Sequence, residues 1–436
     1  MKQIIRIVGQ SGSKQPTEPL LAVLGETIRT NPVPIAKHCL NELAPVSEDL
    51  ATIVEAVALA DRCQTRLLTQ GWARRLALSI PVFEQALFSR SGVTTALADA
   101  LGFLTGDAWS VEFIKRTDEP IKERYLPLSD DPPRFVVPFS DGLDSFAQVA
   151  FLTKEFGDKA VLPFRAGKLQ SGRAGGQFLQ VPRRFYAGHP REKSYRTRPF
   201  VYFTLAAVAA ATANAEAIVI GENGQGALGP SFARFYNEWP FRSTHPAFIA
   251  LLSAFLSLVF DRKIEFKQPQ LWKTKGEVLA ELRDKDLIAG FEATRSCSLR
   301  PYQRRKRWAC GYCGGCVLRQ SALVAAGMGF QDDTAFDLRD AELRLKARSG
   351  AFENFTRNEM EILARAASSM AIFAEMAITN DTRSRVTLEA IDIPDMSADQ
   401  ADTAFKSLFL RHRAEWGGLL DALPSSAWLR REFEYQ

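Results

Sequence analysis

The first residues whose types and spacing could do chemistry lie in the stretch FVVPFSDGLDSFAQVA, Phe135 to Ala150. It predicts a short apolar strand, a polar turn and the start of a helix. The free N–H groups of a first helical turn, together with the helix dipole, favour a bound anion. Gly142 lets a ligand approach the backbone, Ser140 and Ser145 add hydroxyl donors, and Asp144 can cap the helix or help to hold a cation. The turn predicts a phosphate site, and a plain strand–turn–helix corner is the alternative.

A second group consists of four cysteines in the pattern C-x12-C-x2-C-x2-C, at Cys297, Cys310, Cys313 and Cys316. Glycines inside ACGYCGGC allow the tight turns that bring thiolates together. Four thiolates suit a closed, structural Zn²⁺ site. An iron–sulfur cluster and no metal at all stay open, because C-x2-C-x2-C also occurs in ferredoxin-type sites. We expect this site to contribute folding energy rather than catalysis.

The elements that must position these residues alternate between strand and helix from Phe135 to about Gly290. Apolar strands that alternate with helices predict an α/β fold with a doubly wound parallel sheet. Ligands in such folds lie beyond the carboxyl ends of the strands, so the turns at 140–145 and 221–229 should face one cleft. The predicted strands are Phe135–Phe139, Ala160–Phe164, Ala217–Ile220 and Lys263–Phe266, and the predicted helices are Ser145–Phe156, Phe200–Asn214, Pro246–Phe260 and Gly276–Leu287.

Two further regions flank this core. Residues 1–130 predict an N-terminal α+β extension, and 331–436 predict a mostly helical C-terminal extension, which leaves 131–330 as the central domain. Capping boxes at 356–359 and 397–400 mark two helix starts in the C-terminal region. Nine Arg or Lys residues and one acid lie from Arg165 to Arg198. That stretch predicts a loop, which is either a solvated surface or a basic lid over the cleft.

The turn SDGLDS resembles the SGGxDS signature of the PP-loop ATP pyrophosphatases. The resemblance implies that ATP phosphates bind at Ser140, Asp141, Gly142, Leu143, Asp144 and Ser145, with Mg²⁺ on the phosphates. Asp141 departs from the family pattern, which has Gly there, and it adds a negative charge beside the phosphates. Asp tolerates left-handed backbone better than most residues.

The PP-loop and the cysteines together resemble the QueC family, 7-cyano-7-deazaguanine synthases with a PP-loop (HUP-like) fold. The resemblance covers 135–328 and implies a family Arg at Arg198, a Gly-x-Asn turn at 221–223 and a family Lys at Lys275. It implies that Gly221 and Asn223 contact the nucleotide, that Glu222 and Asn223 contact substrate, and that the cysteines hold Zn²⁺. The family's acidic, base-recognising stretch is replaced by 224–235.

His245 lies in Ser-Thr-His-Pro, where a helix should begin. It could contact substrate, and the alternative is a helix start that is capped by Ser243 or Thr244, with Pro246 in the first turn. His189, in the basic stretch, is expected to be a surface residue.

The resemblance implies adenylation of a 7-carboxy-7-deazaguanine-like carboxylate, with release of pyrophosphate, followed by transfer to an amine. Ser140, Asp144, Ser145, Arg198 and Lys275 would be the catalytic residues. The flanking regions resemble the extended QueC-like proteins of Qat (QatC) and CBASS anti-phage systems, and they favour a protein amine, encoded nearby, as the acceptor. Three alternatives stay open: synthesis of 7-cyano-7-deazaguanine from ammonia, tRNA modification, and a non-catalytic nucleotide-binding subunit of a defence complex.

Composition limits the other classes of protein. The 436 residues carry a net charge of +5, a mild excess that does not by itself indicate a nucleic-acid partner. The uncharged runs at 199–215 and 247–260 predict buried helices rather than membrane spans. Six cysteines without a signal sequence predict a reducing cytoplasm, with metal binding before disulfides. An oligomer stays open.

Overall fold

The computed structural model describes residues 3–11, 17–67, 71–121, 132–167, 178–185, 191–192, 194–233, 238–299, 309–331, 333–347, 350–379, 382–390, 393 and 396–434. The strands are β1 Ile4–Ser11, β2 Leu20–Val23, β3 Ile28–Thr30, β4 Arg74–Val82, β5 Ala108–Lys115, β6 Phe135–Pro138, β7 Val161–Gly167, β8 Leu179–Phe185, β9 Ala217–Val219, β10 Phe266–Lys267, β11 Arg344–Lys346 and β12 Phe352–Asn354. The helices are α1 Val33–Cys39, α2 Pro45–Cys63, α3 Gln85–Phe88, α4 Ser91–Thr105, α5 Leu143–Phe156, α6 Arg198–Thr212, α7 Gly224–Ala227, α8 Gly229–Phe232, α9 Pro246–Phe260, α10 Lys275–Asp284, α11 Gly314–Ala325, α12 Arg357–Glu375, α13 Thr382–Ala390, α14 Ala398–Ala422 and α15 Trp428–Phe433.

The chain forms two compact units. The first unit comprises Met1–Ser140, Leu152–Ile220 and Arg234–Gln268, and the second comprises Asp141–Phe151, Gly221–Ala233 and Pro269–Gln436. The turn after β6, from Asp141 onward, and the turn after β9 therefore belong to the second unit, together with the cysteines and the C-terminal helices. The three domains 1–130, 131–330 and 331–436 stay a prediction.

The first unit contains two sheets. The larger has the strand order β10-β9-β6-β7-β8-β3, and its strands are parallel except for the edge strand β3. The other has the order β2-β1-β4-β5, in which β4 and β5 pair in parallel. Helices α2, α6 and α9 bury apolar side chains in the core of this unit, where Val136, Val208 and Phe255 are fully buried. The predicted parallel sheet is confirmed.

The second unit is mostly helical. Its C-terminal helices α12 and α14 begin at capping boxes on Thr356 and Ser397, so both predicted helix starts are confirmed. One apolar core surrounds the cysteines and includes Trp416 of α14. A second core joins Phe232 of α8 to aromatic residues of α12 and α14.

The predicted basic loop from Arg165 to Arg198 is wrong in part, because β7 extends to Gly167 and β8 lies inside the stretch. The sequence did not indicate this strand, because the segment contains Pro182 and several arginines. Its burial alternates, however, and the guanidinium of Arg183 donates to the carboxylate of Glu55 at 2.5 Å, which neutralises a charge in the sheet. His189 lies outside the described residues, and so does the stretch 300–308 between Cys297 and Cys310.

Across the ranges given above, no helix is both long and apolar enough to cross a membrane.

Candidate functional site

The turn after β6 ends in the first residues of α5. Ser140 is exposed, Asp141 and Gly142 are half-buried, and Leu143 is buried as the first residue of the helix. The hydroxyl of Ser145 donates to the carbonyl of Gly142 at 3.1 Å, which holds the turn closed. The predicted strand, turn and helix are confirmed, and their geometry places the amino-terminal end of a long helix where an anion could bind.

Asp144 lies at the centre of a group of polar side chains in the second unit. Its Oδ1 accepts a hydrogen bond from Nδ2 of Asn223 at 2.9 Å, and its Oδ2 forms an ion pair with Nζ of Lys275. Nδ2 of Asn223 also donates to Oε1 of Glu222 at 3.1 Å. The predicted proximity of the turns at 140–145 and 221–229 is therefore confirmed.

Close backbone packing explains the glycines of the second turn. A Cβ at Gly221 would overlap the carbonyl oxygen of Asp144, so only glycine lets this turn lie against α5. A Cβ at Gly226 would overlap the carboxylate of Glu222, which folds over α7. Oδ1 of Asn223 accepts from the N–H of Gly226 at 3.1 Å and caps that short helix.

The charges in this group do not balance. Lys275 pairs with Asp144 and lies near Glu222, so its single positive charge is shared by two carboxylates. Burial and the negative charge of Asp144 raise the pKa of Glu222 to about 7, although Lys275 opposes the shift. The side chain of Lys275 is 5% exposed and that of Asp144 is 19% exposed, so the ion pair is largely withdrawn from water.

Lys275 is held at the amino-terminal end of α10. Thr274 caps this helix through a capping box with Glu277. The backbone N–H of Lys275 donates to Oε1 of Gln225 at 2.7 Å, which links α10 to α7. Thr274 and Gln225 both donate to the carboxylate of Glu415 on α14.

The C-terminal helix α14 thus takes part in this site, although the sequence did not predict it. Nδ1 of His412 accepts from Nε2 of Gln225 at 2.7 Å, so Nε2 of His412 carries the proton and donates to the carbonyl of Met370 at 2.9 Å. Burial lowers the pKa of His412 to about 4 and raises that of Glu415 to about 7. The spacing of His412 and Glu415 along the apolar stripe of α14 is the signal that could have found them.

Arg198 and His245, like Ser140, lie in the first unit. Arg198 is exposed at the first position of α6, with its guanidinium 5.3 Å from the ring centre of Tyr202. His245 is fully buried and is itself the N-cap of α9, because its Nδ1 accepts from the N–H of Ala247 at 3.2 Å. The prediction that Ser243 or Thr244 caps this helix is therefore wrong. The predicted roles of Arg198 and His245 stay predictions.

The four cysteines Cys297, Cys310, Cys313 and Cys316 are buried, and their Sγ atoms all lie within 4.8 Å of one another. Measured Sγ–Sγ distances are 3.7 Å for Cys310 to Cys316 and 4.0 Å for Cys313 to Cys297. A tetrahedral ion with metal–sulfur bonds of about 2.3 Å requires sulfur–sulfur edges of about 3.8 Å. The cluster therefore has the size of a site for a single metal ion.

Backbone and neighbouring side chains support this cluster. N–H groups of Cys310 and Cys313 point at thiol sulfurs, at 3.4 and 3.2 Å. Cys313 is the N-cap of α11, whose dipole favours thiolates in its first turn. Arg319 of the same helix is buried, and it donates to Oγ1 of Thr294 at 2.8 Å and to Oε1 of Gln331 at 2.7 Å. These bonds hold the segment before Cys297 against α11.

One family model matches the chain, and its description is queuosine biosynthesis protein QueC. It matches residues 180–327, about a third of the 436 residues. The matched part contains Glu222, Asn223, Lys275 and the four cysteines, and it supports a QueC-like domain there. The turn at 140–145 lies outside the match. No curated protein matches the chain.

Proposed function

We propose that the chain uses ATP to adenylate a 7-carboxy-7-deazaguanine-like carboxylate and then transfers the acyl group to an amine. The observation that carries this proposal is the group formed by Asp144, Lys275, Asn223 and Glu222 at the amino-terminal end of α5. A helix N-terminus and a buried lysine suit phosphate groups, and the QueC match supports ATP chemistry and a deazaguanine substrate.

In the proposed reaction, a carboxylate oxygen of the substrate attacks the α-phosphorus of ATP, and pyrophosphate leaves. Ser140, Gly142, Leu143, Ser145 and the backbone of Asp141 would bind the phosphates. Lys275 pairs with Asp144, and on ATP binding its ammonium group could pair with a phosphate oxygen instead. It would then stabilise the negative charge of the leaving pyrophosphate. Gly221 and Asn223 would contact the nucleotide, and Arg198 and His245 remain candidates for catalysis and substrate contact.

The proposed function includes two metal ions, Mg²⁺ at the phosphates and Zn²⁺ at the cysteines. The partly exposed carboxylate of Asp144 provides the oxygen ligand that Mg²⁺ prefers, and Mg²⁺ would neutralise charge on the phosphates. The four buried cysteines provide the donor set and the spacing of a closed Zn²⁺ site. We assign Zn²⁺ a structural role, because the cysteines lie within an apolar core.

We favour a protein amine as the acceptor, in an anti-phage system of the QatC or CBASS type. The stretch that replaces the family's base-recognising segment supports this choice. Its described part forms α7 and α8, and Leu228 and Phe232 are buried against the C-terminal helices. The chain has thus exchanged a small-molecule recognition segment for packing against a large helical region. Ammonia, as in 7-cyano-7-deazaguanine synthesis, is the second candidate acceptor.

The proposal is tested by ATP–pyrophosphate exchange with 7-carboxy-7-deazaguanine and Mg²⁺. We expect exchange that requires the carboxylate and falls at least tenfold in Asp144→Asn, while Glu353→Gln, an exposed glutamate of β12, serves as the matched control. A non-catalytic nucleotide-binding subunit would bind ATP without exchange. A tRNA-modifying enzyme would show exchange or turnover only with RNA.

The acceptor is tested separately by intact-protein mass measurement. The chain is incubated with ATP, Mg²⁺, the carboxylate and the proteins encoded beside it. A mass gain on one of them that is lost in Asp144→Asn supports a protein acceptor. Free 7-cyano-7-deazaguanine from ammonia, with no protein gaining mass, would refute it.

A further inference from the structure

Glu222 differs from Asp144 and Lys275 in having no ion-pair partner among the described residues. Its carboxylate accepts from Nδ2 of Asn223 and packs over Gly226, and the nearest charges are Asp144 on α5 and Lys275 on α10. Lys275 is already paired with Asp144. The turn that carries Glu222 follows β9, which pairs directly with β6 ahead of the phosphate-binding turn.

The proposed second half-reaction needs a group of this kind. When an amine nitrogen attacks the acyl carbon of the adenylate, the carbon–nitrogen bond forms and the carbon–oxygen bond to AMP breaks. AMP leaves with the electron pair, and the nitrogen, now positively charged, must lose a proton. At neutral pH a base with a pKa near the working pH does this best, because it is largely ionised and still basic.

We propose that Glu222 is the catalytic base of the second half-reaction and accepts the proton that the acceptor amine loses on attacking the adenylate. The proposal rests on the function proposed above and deepens it. Asp144 has another role in the proposed function, because its carboxylate would hold Mg²⁺, and it accepts a hydrogen bond from Asn223. Burial raises the pKa of the Glu222 carboxyl, so its carboxylate is a stronger base than an exposed glutamate. Asn223 holds the carboxylate in place by donating to it.

The test uses the full chain and compares two amines in single-turnover transfer from a preformed adenylate at pH 7. Ammonia is almost wholly protonated at that pH, whereas hydroxylamine is largely neutral and its adduct loses a proton readily. In Glu222→Gln, which keeps the shape of the side chain, we expect transfer to ammonia to fall by about 10²-fold or more. Transfer to hydroxylamine should fall by much less than tenfold. Glu353→Gln is the matched control and should transfer to both amines as the unmodified chain does.

The pH profile provides the second readout. At a constant concentration of free ammonia, transfer in the unmodified chain should rise with pH as Glu222 ionises, and Glu222→Gln should lose that rise. An equal loss with both amines would overturn the proposal and indicate a contact to substrate or Mg²⁺. Unchanged transfer to ammonia would overturn it as well. If the unmodified chain shows no pyrophosphate exchange, the proposed function itself fails, which is a different result.

Discussion

Replacing Lys275 by methionine would remove the cation that pairs with Asp144 and that opposes the rise in the pKa of Glu222. Methionine keeps the length and apolar stem of lysine, so the change removes mainly the charge. Breaking a buried ion pair by removing one partner costs about 3–5 kcal/mol. The side chain of Asp144 is 19% exposed, so we expect a loss at the lower end of this range. The free energy of unfolding should fall by about 3 kcal/mol at pH 8.

The cost should depend on pH with a definite sign. Below the pKa of about 7 that Glu222 has in the folded chain, this carboxyl is neutral, and one of the two unpaired charges disappears. The loss of stability in Lys275→Met should therefore be smaller at pH 6 than at pH 8. Pyrophosphate exchange should fall by about 10²-fold or more, as expected when a group that stabilises departing charge is removed.

Urea denaturation at the two pH values measures the free energies. The double variant Asp144→Asn, Lys275→Met completes a cycle, and it should recover much of the stability lost in the single variant, because no unpaired charge remains at Asp144. Lys275→Met as stable as the unmodified chain would refute a stabilising ion pair. So would a double variant whose loss of unfolding free energy is the sum of the losses in the two single variants.

Three further predictions concern the metal cluster, the C-terminal helix and the turn at Gly221. Elemental analysis should find about one zinc per colourless chain, and Cys313→Ser should lower thermal stability more than it alters nucleotide binding; broad visible absorbance would point to iron–sulfur instead. His412 is neutral when folded, with its pKa lowered from 6.5 to about 4, so it contributes stability above pH 6.5 that is lost as pH falls to 4. His412→Gln should remove about 3 kcal/mol of that pH dependence in acid-denaturation curves, and an unchanged curve would show that His412 is solvated. Gly221→Ala should abolish pyrophosphate exchange, since its Cβ would overlap the backbone of Asp144. Gly417→Ala, with open space around its Cβ, should keep the exchange activity, and urea denaturation should show a gain of roughly 0.5–1 kcal/mol in the free energy of unfolding.

Local sequence signals predicted much of the framework of the site. The apolar strand, turn and helix at 135–156 follow from hydrophobic patterning and short-range capping, and the structure confirms them. The cysteine spacing predicted a cluster that the fold brings together. Both capping boxes of the C-terminal region also mark real helix starts, because a cap depends only on residues within one turn.

What the sequence did not predict depends on contacts between distant residues. Strand β8 contains Pro182 and Arg183; it pairs with β3 and β7, and its arginine pairs with Glu55, which is far away in sequence. The network of Gln225, His412 and Glu415 joins α7 to α14, and the spacing within α14 does not show that its partner is Gln225. The sequence did not predict that His245 caps α9, because histidine is not among the usual capping residues.

The fate of the carboxylate oxygens decides whether the chain forms an acyl adenylate. The carboxylate of 7-carboxy-7-deazaguanine is labelled with ¹⁸O, and the chain turns it over with ATP, Mg²⁺ and an amine. Attack on the α-phosphorus followed by amine transfer leaves one substrate oxygen in AMP, so mass spectrometry should find AMP with one ¹⁸O and unlabelled pyrophosphate. Label in inorganic phosphate beside ADP would mean an acyl phosphate, and unlabelled AMP would mean that no carboxylate is activated. Either result would contradict the adenylation that we propose.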